Sequence, residues 1–122
     1  MASLRTQVTD GVLIVSFNDT KILDEAKIQA IGAELLEAAD NASNDKRLLL
    51  NFNGVGFMSS AMIGKLVLLS KKCKKDTVVL KLCNIAPNVA EVFKIMKLNK
   101  VFEIYKTEEK AMGSFDKKGW FG

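Results

Sequence analysis

Two adjacent serines, Ser59 and Ser60, stand between a glycine-rich turn at residues 53–56 and a segment with helical periodicity. A hydroxyl at the start of a helix can accept a hydrogen bond from a first-turn N–H group and so cap the helix. The local sequence alone favours the structural role, with Ser59 as the N-cap.

Two phosphate-binding motifs almost fit the same turn. Gly54 and Gly56 begin like the GxGxxG dinucleotide motif, but Ser59 takes the place of its third glycine. Gly64 and the lysine after it resemble the end of a P-loop, yet Leu66 stands where that motif has serine or threonine. Nucleotide binding is therefore a weak alternative.

The chain of 122 residues contains no histidine. This absence excludes Ser-His-Asp triads, Cys-His dyads and metal sites ligated by histidine. The two cysteines, Cys73 and Cys83, lack the CxxC spacing of redox and zinc motifs, so we expect both to be buried and reduced. The sequence predicts a protein that is not an enzyme, with no catalytic residue, cofactor or metal.

The formal net charge is +4, from 18 basic and 14 acidic residues. The lysines crowd at the end of the predicted second helix, as Lys71, Lys72, Lys74 and Lys75. No aromatic residue interleaves them to stack on bases, so we interpret them as cations that complement the helix dipole. No apolar run approaches the roughly 18 residues of a membrane span, and the N-terminus lacks the layout of a secretory signal. We expect a cytoplasmic protein that contacts neither nucleic acid nor membrane.

Strand-like and helix-like segments alternate along the chain. The predicted strands lie at about 4–8, 12–17, 47–52, 77–82 and 101–105, and the predicted helices begin near residues 24, 60, 87 and 107. The last helix is predicted to be capped by Thr107 and to end at about Ser114. The inward faces of the first two helices are predicted to carry Ile28, Ile31, Leu35, Ala38, Ile63, Leu66, Val67 and Ser70.

This alternation predicts an α/β fold, because parallel strands need helical crossovers. We expect a mostly parallel sheet of about five strands with about four helices. A single domain spans residues 1–122, with its core at about 4–114 and a C-terminal tail at 115–122. Trp120 and Phe121 in that tail could fold back on the core or anchor a partner.

The stretch at residues 48–64 resembles the signature of the STAS family (sulphate transporter and anti-sigma-factor antagonist). In that family an apolar strand leads through a turn to a phosphorylatable serine at the start of the second helix. The segment at 80–89, with Phe93, Leu98, Phe102 and Ile104 after it, is similar to the family as well. The resemblance covers about residues 4–114.

This resemblance implies a regulatory binding module. STAS antagonists bind an anti-sigma factor, usually also a serine kinase, and so free a sigma factor. Phosphorylation of the serine that matches Ser60 releases the partner, and a phosphatase resets the switch. We expect the chain to be a monomer or a weak dimer. An alternative family role is a scaffold component of a multi-protein signalling assembly.

Two departures from the family pattern stand next to Ser60. Ser59 replaces the usual aspartate, which makes it an alternate phosphorylation site, and Met62 replaces a common glycine. We expect Met62 to be exposed beside the serines, and the alternative is that this flexible side chain fills a gap in the core. Together with the loop after the second strand, which should open on the same sheet edge, the predicted partner-binding residues are Asn18, Asp19, Thr20, Lys21, Met58, Ser59, Met62 and Lys65.

Overall fold

The computed structural model describes residues 3–42 and 45–121, with side chains described as far as Phe115. The strands are β1 (Leu4–Thr9), β2 (Val12–Phe17), β3 (Lys21–Ile22), β4 (Arg47–Asn51), β5 (Phe57–Met58), β6 (Val79–Cys83) and β7 (Glu103–Tyr105). The helices are α1 (Glu25–Asn41), α2 (Ser60–Lys75), α3 (Pro87–Ile95) and α4 (Glu108–Phe121). None of the described helices is long and apolar enough to cross a membrane.

Five strands form the main sheet in the order β1-β2-β4-β6-β7. Only β1 and β2 are antiparallel, and the other neighbours pair in parallel. Asp10 and Gly11 join β1 to β2 with φ of 50° and 76°, which are the positive values that a two-residue type I′ hairpin requires. The predicted α/β fold with a mostly parallel five-stranded sheet and four helices is confirmed.

The main core lies between one face of the sheet and helices α1, α2 and α3. In α1, all four residues predicted to face inward are buried. In α2, Ile63, Leu66 and Ser70 are buried as predicted, while Val67 is half-buried. Apolar side chains spaced three and four residues apart lie on one helical face, so the sequence pattern is sufficient to predict this packing.

Helix α4 covers the other face of the sheet and is longer than expected. Lys110 donates its backbone N–H to Thr107 Oγ1 at 3.1 Å, which confirms the predicted cap. The helix does not end near Ser114 but runs to Phe121. Phe115 is 2% exposed, so the predicted boundary between core and tail lies inside a helix that packs on the sheet. The side chains of Trp120 and Phe121 lie outside the described residues.

A lysine is buried beneath α4. Lys81 is 3% exposed, and its Nζ donates a hydrogen bond to Ser114 Oγ at 2.6 Å. The same Nζ lies 4.6 Å from the ring centroid of Phe115 and 5.4 Å from that of Tyr105. A hydrogen bond and two aromatic faces compensate the ammonium group for the water it has lost.

Both cysteines are buried and unbridged, as predicted. Burial raises the pKa of the Cys73 thiol to about 11 and that of the Cys83 thiol to about 12. Because the thiolate is the reactive form, both groups are held in their unreactive state at neutral pH.

Candidate functional site

The segment between β4 and α2 brings two serines to the edge of the sheet where the parallel strands end. After β4 the chain turns at Gly54, whose φ of 91° favours glycine. Val55 donates its N–H to the carbonyl of Phe52 at 2.9 Å and closes this turn. The chain then forms the short strand β5 and enters α2 directly.

Ser59 is the N-cap of α2. Its backbone is extended, with φ of −78° and ψ of 161°, and its Oγ accepts a hydrogen bond from the Met62 N–H at 3.3 Å. This arrangement satisfies one of the first-turn N–H groups that have no partner within the helix. The Ser59 hydroxyl therefore has a structural role as the cap of the helix.

Ser60 is the first residue of α2 and is exposed. Its hydroxyl has no hydrogen-bond partner among the described residues. The first turn of α2 also carries no acidic residue. Of the two adjacent serines, Ser60 thus presents the accessible hydroxyl at the positive end of the helix.

The loop after β2 lies against the segment that leads into α2. Strands β3 and β5 pair in parallel, with Lys21 opposite Phe57 and Ile22 opposite Met58. The Thr20 carbonyl accepts a hydrogen bond from the Gly56 N–H at 2.8 Å, and the Ile22 carbonyl accepts one from the Ser59 N–H at 3.1 Å. The expectation that this loop and Ser60 share one edge of the sheet is confirmed.

Four residues of this loop were predicted to bind a partner. Asn18, Thr20 and Lys21 are exposed, and Asp19 is half-buried. The Asp19 carboxylate lies 3.6 Å from Lys27 Nζ. This separation is longer than a hydrogen bond, so the attraction is electrostatic, and the Asp19 Oδ2 atom is itself buried with no hydrogen-bond partner among the described residues.

Two methionines predicted at the partner-binding surface are instead buried. Met62 is 0% exposed, so the expectation that it lies exposed beside the serines is wrong. It lies on the inward face of α2, four residues before the buried Leu66, and belongs to the main core. Met58 is 8% exposed and also packs into the core, because alternate residues of a strand point to opposite sides.

Two large apolar side chains near Ser60 are exposed, and the sequence analysis missed both. Phe57 is 51% exposed and Leu23 is 55% exposed. Phe57 precedes the buried Met58 in β5, and Lys21 Nζ lies 5.5 Å from its ring centroid. The alternation of exposed and buried residues in β5 could have indicated that Phe57 is exposed. This pattern can be recognised only when the position of the strand is known.

Lys65 lies in the groove between α1 and α2. Its Nζ donates a hydrogen bond to Gln29 Oε1 at 3.0 Å. Its Cδ lies only 3.0 Å from where a Cβ on Gly32 would stand, so the lysine stem fills the space that this glycine leaves open. Lys65 is half-buried, about one and a half helical turns from Ser60.

Comparisons with known proteins agree with this architecture. The family model of the STAS domain matches residues 3–111. BtrV of Bordetella bronchiseptica, whose name describes it as an anti-sigma factor antagonist, is 27% identical over 106 residues, which are 87% of this chain and 88% of that protein. An anti-sigma-factor antagonist (STAS) domain protein from Planctomyces limnophilus has a similar structure, with a TM-score of 0.80, 27% identity, and coverage of 93% of this chain and 97% of that chain.

A further similar structure is the Bacillus cell fate determinant SpoIIAA in its phosphorylated form. It has a TM-score of 0.66 and 19% identity, and the match covers 92% of this chain and 98% of that chain. At this identity the likeness shows the fold alone. The element order, the sheet topology and the match over residues 3–111 lead to one conclusion: the chain belongs to the STAS domain family.

Proposed function

We propose that this chain is an anti-sigma factor antagonist, a cytoplasmic binding module that is switched by phosphorylation of Ser60. The observation that carries the proposal is the exposed Ser60 hydroxyl at the N-terminus of α2, beside a serine already engaged as the cap. The relatives described as anti-sigma factor antagonists, BtrV and the Planctomyces limnophilus protein, support this function.

The docking surface, as we define it, consists of Ser60, Phe57, Leu23 and the loop at residues 18–21. It combines two exposed apolar side chains with polar groups that two short paired strands hold against α2. Aromatic residues at the centre of an interface commonly contribute much of its binding energy. Phe57 is therefore the proposed apolar anchor for the anti-sigma factor.

Ser60 is the proposed phosphoacceptor rather than Ser59. A kinase transfers the γ-phosphoryl group of ATP to a serine oxygen, releases ADP and takes up the hydroxyl proton. The Ser60 oxygen is exposed, whereas the Ser59 oxygen accepts the Met62 N–H. Modification of Ser59 would change the group that caps the helix, while modification of Ser60 leaves the Ser59 hydrogen bond as it is.

The energetics favour a switch that acts on binding and not on folding. A phosphate adds about −1.5 to −2 charges at neutral pH. At the N-terminus of a helix this charge stabilises the folded chain by about 0.3–1 kcal/mol. An unpaired or like charge in a packed interface costs several kcal/mol. The phosphorylated chain should therefore remain folded while its complex dissociates, and a phosphatase would restore binding.

In this proposal the chain is a substrate and a binding partner, and catalysis belongs to the kinase and the phosphatase. The chain has no histidine to act as a general base near neutral pH. Both cysteines are buried with raised pKa values. Neither residue type therefore offers a reactive group at the docking surface.

The test is phosphosite mapping combined with binding measurements. Tandem mass spectrometry of the chain purified from its native cells should find phosphate on Ser60 and none on Ser59. Calorimetric titration with the anti-sigma factors encoded in the same genome should identify one that binds the unmodified chain. Ser60→Asp should weaken that complex by at least about tenfold, because it places a charge in the interface.

Two control variants sharpen this test. Ser60→Ala should bind but resist phosphorylation, and Ser59→Ala should still be phosphorylated on Ser60. Phosphate found on Ser59 alone would contradict the assignment of the phosphoacceptor. Equal affinities of the wild-type chain and Ser60→Asp for the anti-sigma factor would contradict the switch itself.

A further inference from the structure

The two edges of the main sheet differ in how they are protected against pairing. One edge is β7, which has only three residues. The other edge is β1, which has six residues with the sequence LRTQVT. Natural edge strands are commonly shortened, bulged, or carry proline or several charges to prevent contact with another strand. Strand β1 has a single charge, at Arg5, and none of the other devices.

The register of the hairpin shows which backbone groups of β1 point outward. Thr9 and Val12 flank the two-residue turn and therefore form a hydrogen-bonded pair. The pairs at Gln7 and Arg5, two and four residues before Thr9, are hydrogen-bonded in the same way. The remaining residues of β1 point their N–H and C=O groups away from β2. These are Leu4, Thr6 and Val8.

The side chains along this edge leave it open. Residues 5–8 are all exposed, and Val8 is 68% exposed although it is apolar. Leu4 and Val8 point to the same side of the sheet, since alternate strand residues share a face. An edge with unpaired backbone groups and an exposed valine can accept one more strand.

We propose that β1 pairs with β1 of a second copy of this chain, antiparallel and about a two-fold axis at Thr6. In this register Thr6 lies opposite Thr6 of the second copy, and Leu4 lies opposite Val8 of the second copy. The outward groups of the two strands then form about six hydrogen bonds. The exposed valine is covered by an apolar neighbour.

Self-complementarity favours a second copy as the occupant of this edge. With the axis at Thr6, each Arg5 lies opposite a glutamine, Gln7 of the second copy. Moving the axis by one residue, to Arg5, would place two arginines directly opposite each other, which is destabilising. The sequence of β1 therefore supports the register with its axis at Thr6 and disfavours the one with its axis at Arg5.

The pairing is compatible with the proposed function but does not depend on it. A two-fold antiparallel contact directs the carboxyl ends of the parallel strands in opposite directions, so both Ser60 residues stay accessible. A single strand pair buries less than the roughly 1,200–2,000 Å² of a stable interface. We therefore expect a weak dimer whose population depends on concentration.

Cysteine cross-linking tests the register directly. Residues of a hydrogen-bonded antiparallel pair have Cα atoms about 5.5 Å apart, which lies within the range of a disulfide. Thr6→Cys should form a disulfide-linked dimer under mild oxidation. The matched control Val8→Cys should do so at least about tenfold more slowly, because its counterpart lies about 13 Å away along the strand. Both native cysteines are buried and should not interfere.

Sedimentation velocity provides the second measurement. The average mass of the wild-type chain should rise from 13.4 kDa towards twice that value between micromolar and millimolar concentration. Thr6→Pro should abolish this rise without breaking the β1–β2 ladder, because the Thr6 N–H points away from β2. Thr6→Val, which keeps the N–H, should dimerise like the wild type.

Three results would overturn the proposal. The first is a mass that stays at 13.4 kDa together with equal cross-linking rates of the two cysteine variants. The second is a dimer that survives Thr6→Pro, which would assign the contact to another surface. The third is protection of the β1 amides from hydrogen exchange only when a different protein is added, which would assign the edge to that protein.

Discussion

The Ser59 hydroxyl accepts the backbone N–H of Met62 at 3.3 Å, and this bond divides the roles of two adjacent serines. Ser59 caps the first turn of α2, while the hydroxyl of the exposed Ser60 is accessible to other proteins. Met62, whose backbone N–H donates this bond, has its side chain buried in the core. Cap, accessible hydroxyl and core residue thus follow one another within four positions of the chain.

The cap predicts unequal effects of two similar substitutions. Ser59→Ala should lower the free energy of unfolding by about 1 kcal/mol, because a first-turn N–H loses its partner. The matched control Ser60→Ala should change it by less than about 0.5 kcal/mol, since Ser60 is exposed. Urea unfolding followed by circular dichroism measures both values. Equal losses for the two variants would show that Ser59 is not the cap.

The burial of Met62 and the exposure of Phe57 predict opposite consequences for stability and binding. Met62→Ala should lower the free energy of unfolding by about 2–5 kcal/mol, because it leaves a cavity in the core. Phe57→Ala should lower it by less than about 1 kcal/mol, yet it should weaken binding of the anti-sigma factor by at least about 1 kcal/mol. Thermal unfolding and calorimetric titration separate these effects. An unaltered affinity of Phe57→Ala would remove Phe57 from the docking surface.

The length of α4 predicts that residues beyond 114 contribute to stability. Phe115→Ala should lower the free energy of unfolding by about 3–5 kcal/mol, because the ring is 2% exposed. The control Glu109→Ala, at an exposed position in the first turn of the same helix, should change it by no more than about 1 kcal/mol, which is the contribution of an acid at a helix N-terminus. Denaturant titration of both variants provides the comparison. Similar values for the two would mean that α4 does not pack on the sheet beyond Ser114.

The two buried thiols predict how stability depends on alkaline pH. Burial raises the pKa of Cys73 to about 11 and that of Cys83 to about 12, from an ordinary value of 9.0. The unfolded chain therefore releases these protons at a lower pH than the folded chain. Stability is unaffected by the thiols below the unfolded pKa and falls as the pH rises from about 9 towards 11, by on the order of 1 kcal/mol per thiol and pH unit.

A pair of alanine substitutions isolates this contribution. Chemical unfolding at pH 8, 9 and 10 should show a steeper loss of stability in the wild-type chain than in a variant with Cys73→Ala and Cys83→Ala. Titration of lysine and tyrosine side chains affects both proteins equally and cancels in the comparison. Identical slopes would contradict the raised pKa values.

Much of the architecture could be predicted from the sequence, because local patterns carry it. Spacings of three and four residues place Ile28, Ile31 and Leu35 on one face of α1, whatever packs against them. Serine and threonine at helix starts likewise predicted the caps at Ser59 and Thr107, since an N-cap bonds within its own first turn. The position of Ser60 at the start of α2 belongs to the same class of local information.

Other features depended on contacts between segments that are distant in sequence. Strands β3 and β5 have two residues each, too few to show a period, and they exist because Thr20 and Ile22 accept hydrogen bonds from the segment before α2. For the same reason the sequence could not show that Met58 and Met62 are buried while Phe57 is exposed, since that depends on which face other elements cover.

The end of α4 illustrates the same limit. Gly113 and Ser114 are typical of a helix end, yet the helix continues because Phe115 is buried against the second face of the sheet. The sequence by itself determined the order of the helices and of the main-sheet strands, the caps and the inward faces, which depend on neighbours within a few residues. Only the tertiary structure decided which apolar side chains are exposed around Ser60, because burial is a property of the assembled layers.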